Sequence, residues 1–196
     1  MGFLIILWGV IWEWIIIPAV CIYASTAISK ILPLFLPITP FDAFLEVSFI
    51  SLGLFWTFAS CFELTSKGKG TIIPFYNPPR ILVKEGVYSY CRNPMYFGYI
   101  QLFFGLSIII HSLTNLLLFL IGIILFFIFY IRLKEERVLE QRFGENYRHY
   151  KMTTPLFFPR TFLPQKYRPA KFFLFLHLSF FISVLLFFVT EIIFAF

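Results

Sequence analysis

Residues 93–131 read NPMYFGYIQLFFGLSIIIHSLTNLLLFLIGIILFFIFYI and carry no formal charge over 39 positions. At about 1.5 Å per residue, one helix of that length would measure roughly 58 Å, twice the roughly 30 Å of a bilayer core. The clearest polar break is HSLTN at 111–115, so we predict that the run folds back there as a helical hairpin. The stretch therefore predicts two membrane spans, at 94–111 and 114–132.

Small residues indicate how the hairpin packs. Gly98 and Gly105 lie seven positions apart on its first arm. We predict that they let the second arm pack closely around Gly122, because small residues allow helix backbones to approach each other.

Three further apolar runs flank the hairpin. Residues 3–29 carry one charge, at Glu13; residues 42–63 follow a proline-rich break; and residues 171–191 are uncharged between their two ends. Each run is about as long as a bilayer span requires. The sequence therefore predicts an all-α integral membrane protein in which five transmembrane helices form a single domain, residues 1–196.

The composition agrees with a lipid environment. Hydrophobic residues make up 60% of the chain and charged residues 13%, whereas a soluble domain carries about a quarter charged residues. A globule of this size could not hide so much apolar surface from water, which excludes an ordinary soluble enzyme, a disordered chain and a collagen-like protein. The three cysteines are too few and too scattered for a disulfide framework or a zinc site, and we expect no metal.

The basic residues predict the orientation. All of the 16 Lys and Arg residues except Lys30 lie between spans two and three or between spans four and five. The positive-inside rule makes both segments cytoplasmic and places the amino terminus on the same side. The formal net charge of +6 is then explained by topology and by contact with anionic lipid. No nucleic-acid-binding fold is recognisable, so we expect no nucleic-acid partner.

The first basic segment, 67–98, contains KGKGT at 67–71, NPPRILVKEGVY at 77–88 and YSYCRNPMYFG at 88–98. Its glycines and prolines predict an irregular loop, and the Gly-x-Gly element lacks the rest of a phosphate-binding loop. Asn93 suits a helix N-cap and Pro94 the first helical turn. A helix amino terminus with Arg92 beside it favours an anionic group.

The second basic segment, 132–160, begins RLKEERVLEQRFGENYRHY at 132–150. Its apolar residues follow helical spacing, which predicts a juxtamembrane amphipathic helix. Because the hairpin turns on the far side, the start of span three and the end of span four are neighbours on the cytoplasmic side. We therefore expect 92–96 to face 132–136 across a cleft that suits a water-soluble cofactor and a lipid-soluble substrate.

LVKEGVYSYCRNPMYFG at 82–98, followed after the hairpin by EERVLEQRFGENYRHY at 135–150, resembles the isoprenylcysteine carboxyl methyltransferase family in its prokaryotic form. That family is related to the membrane phospholipid methyltransferases. The resemblance covers roughly residues 67–160, about half of the chain. Asn93 departs from the usual family histidine, a change also typical of phospholipid methyltransferases.

The resemblance implies a multi-pass membrane methyltransferase that uses S-adenosyl-L-methionine at the cytoplasmic face. It implies an amphiphilic, lipid-like or isoprenylcysteine-like carboxylate acceptor that enters from the bilayer. Residues that match family cofactor contacts are Arg80, Ile81, Leu82, Val83, Tyr88, Asn93, Pro94, Met95, Tyr96 and Glu135. From the chemistry of the residues we add Arg92 for the cofactor carboxylate, and we take Glu135 to bind its ribose or amino group.

The acceptor end of the cleft is assigned to Arg132, Glu136 and Asn93. Arg132 is the nearest match to a family arginine that contacts the acceptor. A carboxylate acceptor is already ionised and needs only such a cation to orient it. A lipid amine must first lose a proton, which requires a base such as Glu136. The cleft offers no histidine, which favours the carboxylate.

Other functions stay open at the level of the sequence. One is a phosphatidylethanolamine-type phospholipid N-methyltransferase, which Asn93 favours. A second is an NADPH-dependent membrane reductase, since some reductases also end in cytoplasmic helices with glutamates and paired tyrosines. A third is a non-enzymatic membrane subunit or transporter, although the chain shows no internal repeat of the kind that transporters often carry. The sequence does not indicate an oligomeric state.

Overall fold

A computed structural model describes Trp8 and residues 11–32, 35, 36, 38, 40–70 and 79–157. Within these ranges every regular element is a helix, apart from an isolated bridge between Phe35 and Ser112. The all-α class is thus confirmed for the described part of the chain. The predicted span at 171–191 and the start of the span at 3–29 lie outside it. So do residues 71–78, within the first cofactor-site segment, and residues 158–160, at the end of the second.

The helices follow one another in a simple order. A π-helical turn, Trp12–Ile16, leads into α1, Ile17–Ser29, and then come α2, Asp42–Ser66, a 3-10 turn, Gly86–Ser89, and α3, Pro94–Ile109. A continuous helix, Asn115–Phe143, contains α4, Ile121–Tyr130, a π turn, Ile131–Glu135, and α5, Glu136–Phe143. It ends at Gly144, which has a φ of 54°, and α6, Glu145–Thr153, follows.

Two of the described helices are long and apolar enough to cross a bilayer, namely α2 and Asn115–Phe143. The shorter α1 and α3 are also apolar. The predicted span at 42–63 corresponds to α2, and the span at 94–111 corresponds to α3. The helix that contains the predicted span 114–132 does not end at its first charged residue, Arg132. It continues through the π turn into the amphipathic α5.

The hairpin predicted from residues 93–131 is present. α3 ends at Ile109, and the next helix begins after a turn in which His111 has a positive φ of 45°. The Asn115 side chain donates a hydrogen bond to Ser107 Oγ at 2.8 Å, which ties the two arms together. Farther from the turn, Phe103 packs in one buried cluster with Leu120. Polar side chains thus join the arms near the turn, and apolar side chains join them farther from it.

The close-packed face of α3 turns toward α2 and not toward Gly122. A Cβ atom at Gly98 would lie 2.6 Å from Thr57 Oγ1 and 2.7 Å from the Gly53 carbonyl oxygen. Gly105 likewise packs against α2, whereas Gly122 has nothing within 4 Å of an added Cβ atom. The prediction that these glycines serve the hairpin is therefore wrong, because the missing side chains make room for α2.

The second arm exposes apolar side chains. Ile121, Leu125, Phe126 and Phe129 are exposed in the described part of the chain, and no residue of α4 is buried there. Such a contiguous apolar surface is costly in water. It suits contact with lipid tails or with another apolar helix.

Candidate functional site

A cavity of about 200 Å³ lies where the end of α2, the loop 79–92, the start of α3 and the helices α5 and α6 meet. The residues that the sequence assigns to a cofactor line it, with the exception of Arg80. They are Ile81, Leu82, Val83, Tyr88, Arg92, Asn93, Pro94, Met95, Tyr96 and Glu135. Arg80 is exposed and lies outside the cavity wall.

Residues that the sequence did not assign to the site complete the wall. α2 contributes Leu64, the loop contributes Pro79, and the second hairpin arm contributes Tyr130 and Lys134. The two amphipathic helices add Val138, Leu139, Phe143, Tyr147 and Tyr150. The helical spacing of these last five residues is visible in the sequence, and the apolar face that it predicts lines the cavity.

Tyr96 and Glu135 join the two arms of the hairpin at the cavity. The Tyr96 hydroxyl donates a hydrogen bond to Glu135 Oε1 at 2.6 Å, and the Tyr96 ring packs on Phe127 with 4.6 Å between centroids. The start of α3 therefore faces the end of the second arm, as the hairpin topology predicts. Glu135 is the one carboxylate among the described residues that line the cavity.

Glu136 lies next to Glu135 but in a different environment. Its Oε1 accepts from Arg92 Nη2 at 2.8 Å and its Oε2 from Lys151 Nζ at 2.6 Å. The side chains of Arg92 and Glu136 are only 9% and 5% exposed. Lys151 also reaches Glu140, and these two carboxylates raise the pKa of its amine. Glu136 is thus neutralised from two sides and does not line the cavity.

Arg92 is held by its terminal nitrogens and keeps one donor unused. Nη1 donates to the Lys151 carbonyl oxygen at 2.7 Å, and Nη2 donates to Glu136. Nε is buried and makes no hydrogen bond within the described residues. A buried donor without a partner is costly, so Nε is the nitrogen of this guanidinium whose hydrogen bond the described residues do not supply.

Asn93 occupies the N-cap position of α3, but its side chain does not cap the helix. Its Nδ2 and its backbone N–H both donate to the Leu156 carbonyl oxygen, at 3.1 and 3.2 Å. The Arg92 N–H donates to the Pro155 carbonyl oxygen at 2.8 Å. The expected cap is therefore replaced by a bond to the segment after α6, and that segment fixes the Arg92–Asn93 turn.

Arg132, assigned to the acceptor, is exposed and does not line the cavity. It belongs to the π turn Ile131–Glu135, whose wider winding shifts side chains relative to an α-helix. Ile131 is buried at that turn and Lys134 lines the cavity. Lys134, and not Arg132, is the cation that this arm contributes to the wall.

Tyrosines form much of the cavity's aromatic surface. The Tyr150 hydroxyl donates to the Tyr88 carbonyl oxygen at 2.6 Å, and the Tyr147 and Tyr150 rings meet edge to face. Burial raises the pKa of Tyr88, Tyr147 and Tyr150 above the ordinary value. The three phenols therefore stay protonated, and their rings offer neutral aromatic faces of the kind that bind cations.

Cys91 lies behind the cavity wall and is fully buried. Burial raises the pKa of its thiol in spite of the neighbouring Arg92. A protonated, inaccessible thiol is not a nucleophile. Within the described residues, no three His, Cys, Asp or Glu side chains meet in a way that could hold a metal ion.

Comparison with known families gives a match over the middle of the chain. A family model described as phospholipid methyltransferase matches residues 41–146, more than half of the chain. The matched region runs from the start of α2 to the start of α6 and so contains most of the cavity wall. No curated protein and no solved structure matches the chain.

Proposed function

Because the chain belongs to the phospholipid methyltransferase family, we propose that it is a membrane enzyme that transfers the methyl group of S-adenosyl-L-methionine to the head of an amphiphile. Family membership confirms the resemblance seen in the sequence and favours a transferase over a reductase or a non-enzymatic subunit. One observation carries the cofactor assignment: apart from Arg80, the residues assigned to the cofactor line a single cavity.

The residues of the cavity fit the chemical groups of this cofactor. The buried Nε of Arg92 suits its carboxylate, Glu135 suits its ammonium group or ribose hydroxyls, and tyrosine rings such as that of Tyr88 suit its sulfonium. When bound, S-adenosyl-L-methionine supplies an electrophilic methyl group on a positively charged sulfur. The protein's own contribution is to hold the two reactants in line and to exclude water from them.

The acceptor is proposed to reach the cavity from the bilayer. Leu133 and Val138 are exposed apolar residues on the helix that carries Lys134 and Glu135. If the chain has five spans with its amino terminus inside, the positive-inside rule supports a cytoplasmic position for this helix. An acceptor with a hydrocarbon tail would then keep its tail in lipid while its head enters the cavity.

We propose a carboxylate as the reactive head group. Glu136, the base that the sequence suggests for an amine, is buried between Arg92 and Lys151 and is absent from the cavity wall. A carboxylate needs no base, and Lys134 can supply the orienting cation that the sequence assigned to Arg132.

A phospholipid amine is the second candidate, because the family model that matches the chain is described as phospholipid methyltransferase. In that case Glu135 is the available carboxylate to accept the proton of the amine. The two acceptors differ in whether a proton is lost before methyl transfer, and this difference can be measured.

Calorimetry on the detergent-purified protein tests the cofactor. We expect saturable binding of S-adenosyl-L-methionine and none of NADPH. Binding of NADPH alone would support a reductase, and binding of neither would leave a non-enzymatic membrane subunit. S-adenosyl-L-homocysteine, which lacks the methyl group and the sulfonium charge, is the matched control for the tyrosine contacts and should bind through the same carboxylate and ribose groups.

A further inference from the structure

The 3-10 turn Gly86–Ser89 carries Tyr88 into the cavity wall and is held by neighbours on two sides. From α6, the Tyr150 hydroxyl donates to the Tyr88 carbonyl oxygen. On the α2 side, the Tyr88 hydroxyl lies 3.5 Å from the Ser60 carbonyl oxygen. The position of the Tyr88 ring therefore depends on how well this four-residue turn is anchored to α2.

Glu63, in the last turns of α2, makes the main anchor. Its Oε2 accepts from the backbone N–H of Val87 at 3.0 Å, and the N–H of Tyr88 also interacts with the carboxylate. The Tyr88 N–H already donates to the Glu85 carbonyl oxygen at 3.2 Å. The carboxylate therefore chiefly receives the Val87 N–H at the start of the turn. Glu63 thus caps the turn from another helix. Its ion pair with Lys67, at 3.6 Å, is half exposed on the lysine side.

Gly86 shows how closely the carboxylate fits. Its φ of 59° lies in the left-handed region that favours glycine. A Cβ atom at this position would also occupy the space of the Glu63 carboxyl group. Glycine at position 86 is therefore required both by the backbone conformation and by the presence of the Glu63 carboxyl group.

We propose that Glu63 is a positioning residue for the cofactor site, acting through the Gly86–Ser89 turn to set the place of Tyr88. This inference rests on the proposed function, in which Tyr88 contacts the cofactor. Glu63 does not line the cavity, so it reaches a bound molecule only through the turn. In the sequence, Glu63 is the last residue of the predicted span 42–63.

The first test measures the turn without any cofactor. Backbone hydrogen exchange of the peptide that carries Val87 and Tyr88 should be faster in Glu63→Ala than in the wild type. Glu85→Ala is the matched control, because Glu85 is an exposed carboxylate beside the same turn, and its exchange should match the wild type. Unchanged exchange in Glu63→Ala would overturn the proposal whatever the enzyme binds.

The second test measures affinity for S-adenosyl-L-methionine by calorimetry. We expect Glu63→Ala to weaken binding about tenfold to a hundredfold. Glu63→Gln should lose less, because its amide oxygen still accepts from Val87, and it serves as the milder variant if Glu63→Ala folds poorly. In a Tyr88→Leu background, removal of Glu63 should change the affinity by less than about threefold.

The outcomes separate the two ideas. If the wild type does not bind the cofactor, the proposed function fails, and the exchange experiment still decides the role of Glu63. If the wild type binds and Glu63→Ala binds equally well, the positioning role is refuted. Equal losses from Glu63→Ala in the wild-type and Tyr88→Leu backgrounds would also refute it, since Glu63 would then act by a route other than Tyr88.

Discussion

Neutralising Glu136 should destabilise the fold more than any other single change to the charges around the cavity. The substitution Glu136→Gln keeps the shape of the side chain and removes its charge. Arg92 and Lys151 would then face each other without the carboxylate that now accepts from both. The larger loss of stabilisation falls on the Arg92 guanidinium, because its side chain is only 9% exposed.

The size of the effect follows from the burial of the two partners. Breaking a buried ion pair by removing one partner costs on the order of 3–5 kcal/mol, because the remaining charge stays desolvated. Lys151 contributes little to this cost, since it is 38% exposed and retains Glu140 at 2.9 Å. A loss of this size is a large part of the roughly 5–15 kcal/mol that stabilises a typical domain.

Unfolding of the purified protein in mixed detergent micelles, followed by circular dichroism, measures this loss. Glu140→Gln is the matched control: it removes a carboxylate from the same lysine, but one that is not buried with Arg92, and its unfolding should stay close to that of the wild type. The double variant Arg92→Gln with Glu136→Gln should be more stable than the sum of the single losses predicts. If Glu136→Gln unfolds like Glu140→Gln, the buried pair does not have the energetic role given to it here.

Three further predictions concern the cofactor, the helix packing and the acceptor. Glu135→Gln should weaken S-adenosyl-L-methionine binding by about 1.5–3 kcal/mol, the value of a charge-assisted hydrogen bond. Glu145→Gln, a change at an exposed carboxylate, should leave the affinity unchanged. Both are measured by calorimetry, and equal affinities of the two variants would show that Glu135 is not part of the site. Gly98→Ala should destabilise the fold by about 1–3 kcal/mol, because the added methyl group meets Thr57 and the α2 backbone. Gly122→Ala should be neutral or stabilising by up to about 1 kcal/mol. Unfolding in detergent compares the two variants, and similar losses of stability would contradict the packing of α3 on α2. With both substrates saturating, a carboxylate acceptor predicts a rate that is nearly flat from about pH 6 to 8, and a rise of about tenfold per pH unit would favour the amine.

The hairpin was predictable because it follows from length and charge alone. An uncharged run of 39 residues cannot cross a bilayer of roughly 30 Å as one helix, and only one region within it was polar enough to turn. A hairpin brings residues 92–96 opposite residues 132–136, and the hydrogen bond between Tyr96 and Glu135 lies in that region.

The finer contacts were not predictable, because they depend on which distant segment supplies a partner. Asn93 suits an N-cap by residue type, yet the Leu156 carbonyl oxygen competes for its side chain. By residue type Glu136 suits a general base, but its carboxylate is paired with Lys151, fifteen residues later in the chain. The π turn that contains Arg132 has no signature in its apolar and charged residues. Glu63 is an ordinary helix-end residue by sequence, and its close approach to Gly86 appears only in the fold.

The segment that follows α6 has a consequence for the order in which the protein is built. The carbonyl oxygens of Pro155 and Leu156 accept hydrogen bonds from Arg92 and Asn93, which lie about sixty residues earlier in the chain. Pro155 and Leu156 themselves lie beyond the region that the family model matches. During synthesis both hairpin arms precede this segment, so helix pairing can begin while the Arg92–Asn93 turn still lacks its partners. Contacts of such large sequence separation form late. A nascent chain halted before residue 155 would thus carry a paired hairpin with an incompletely fixed cavity wall.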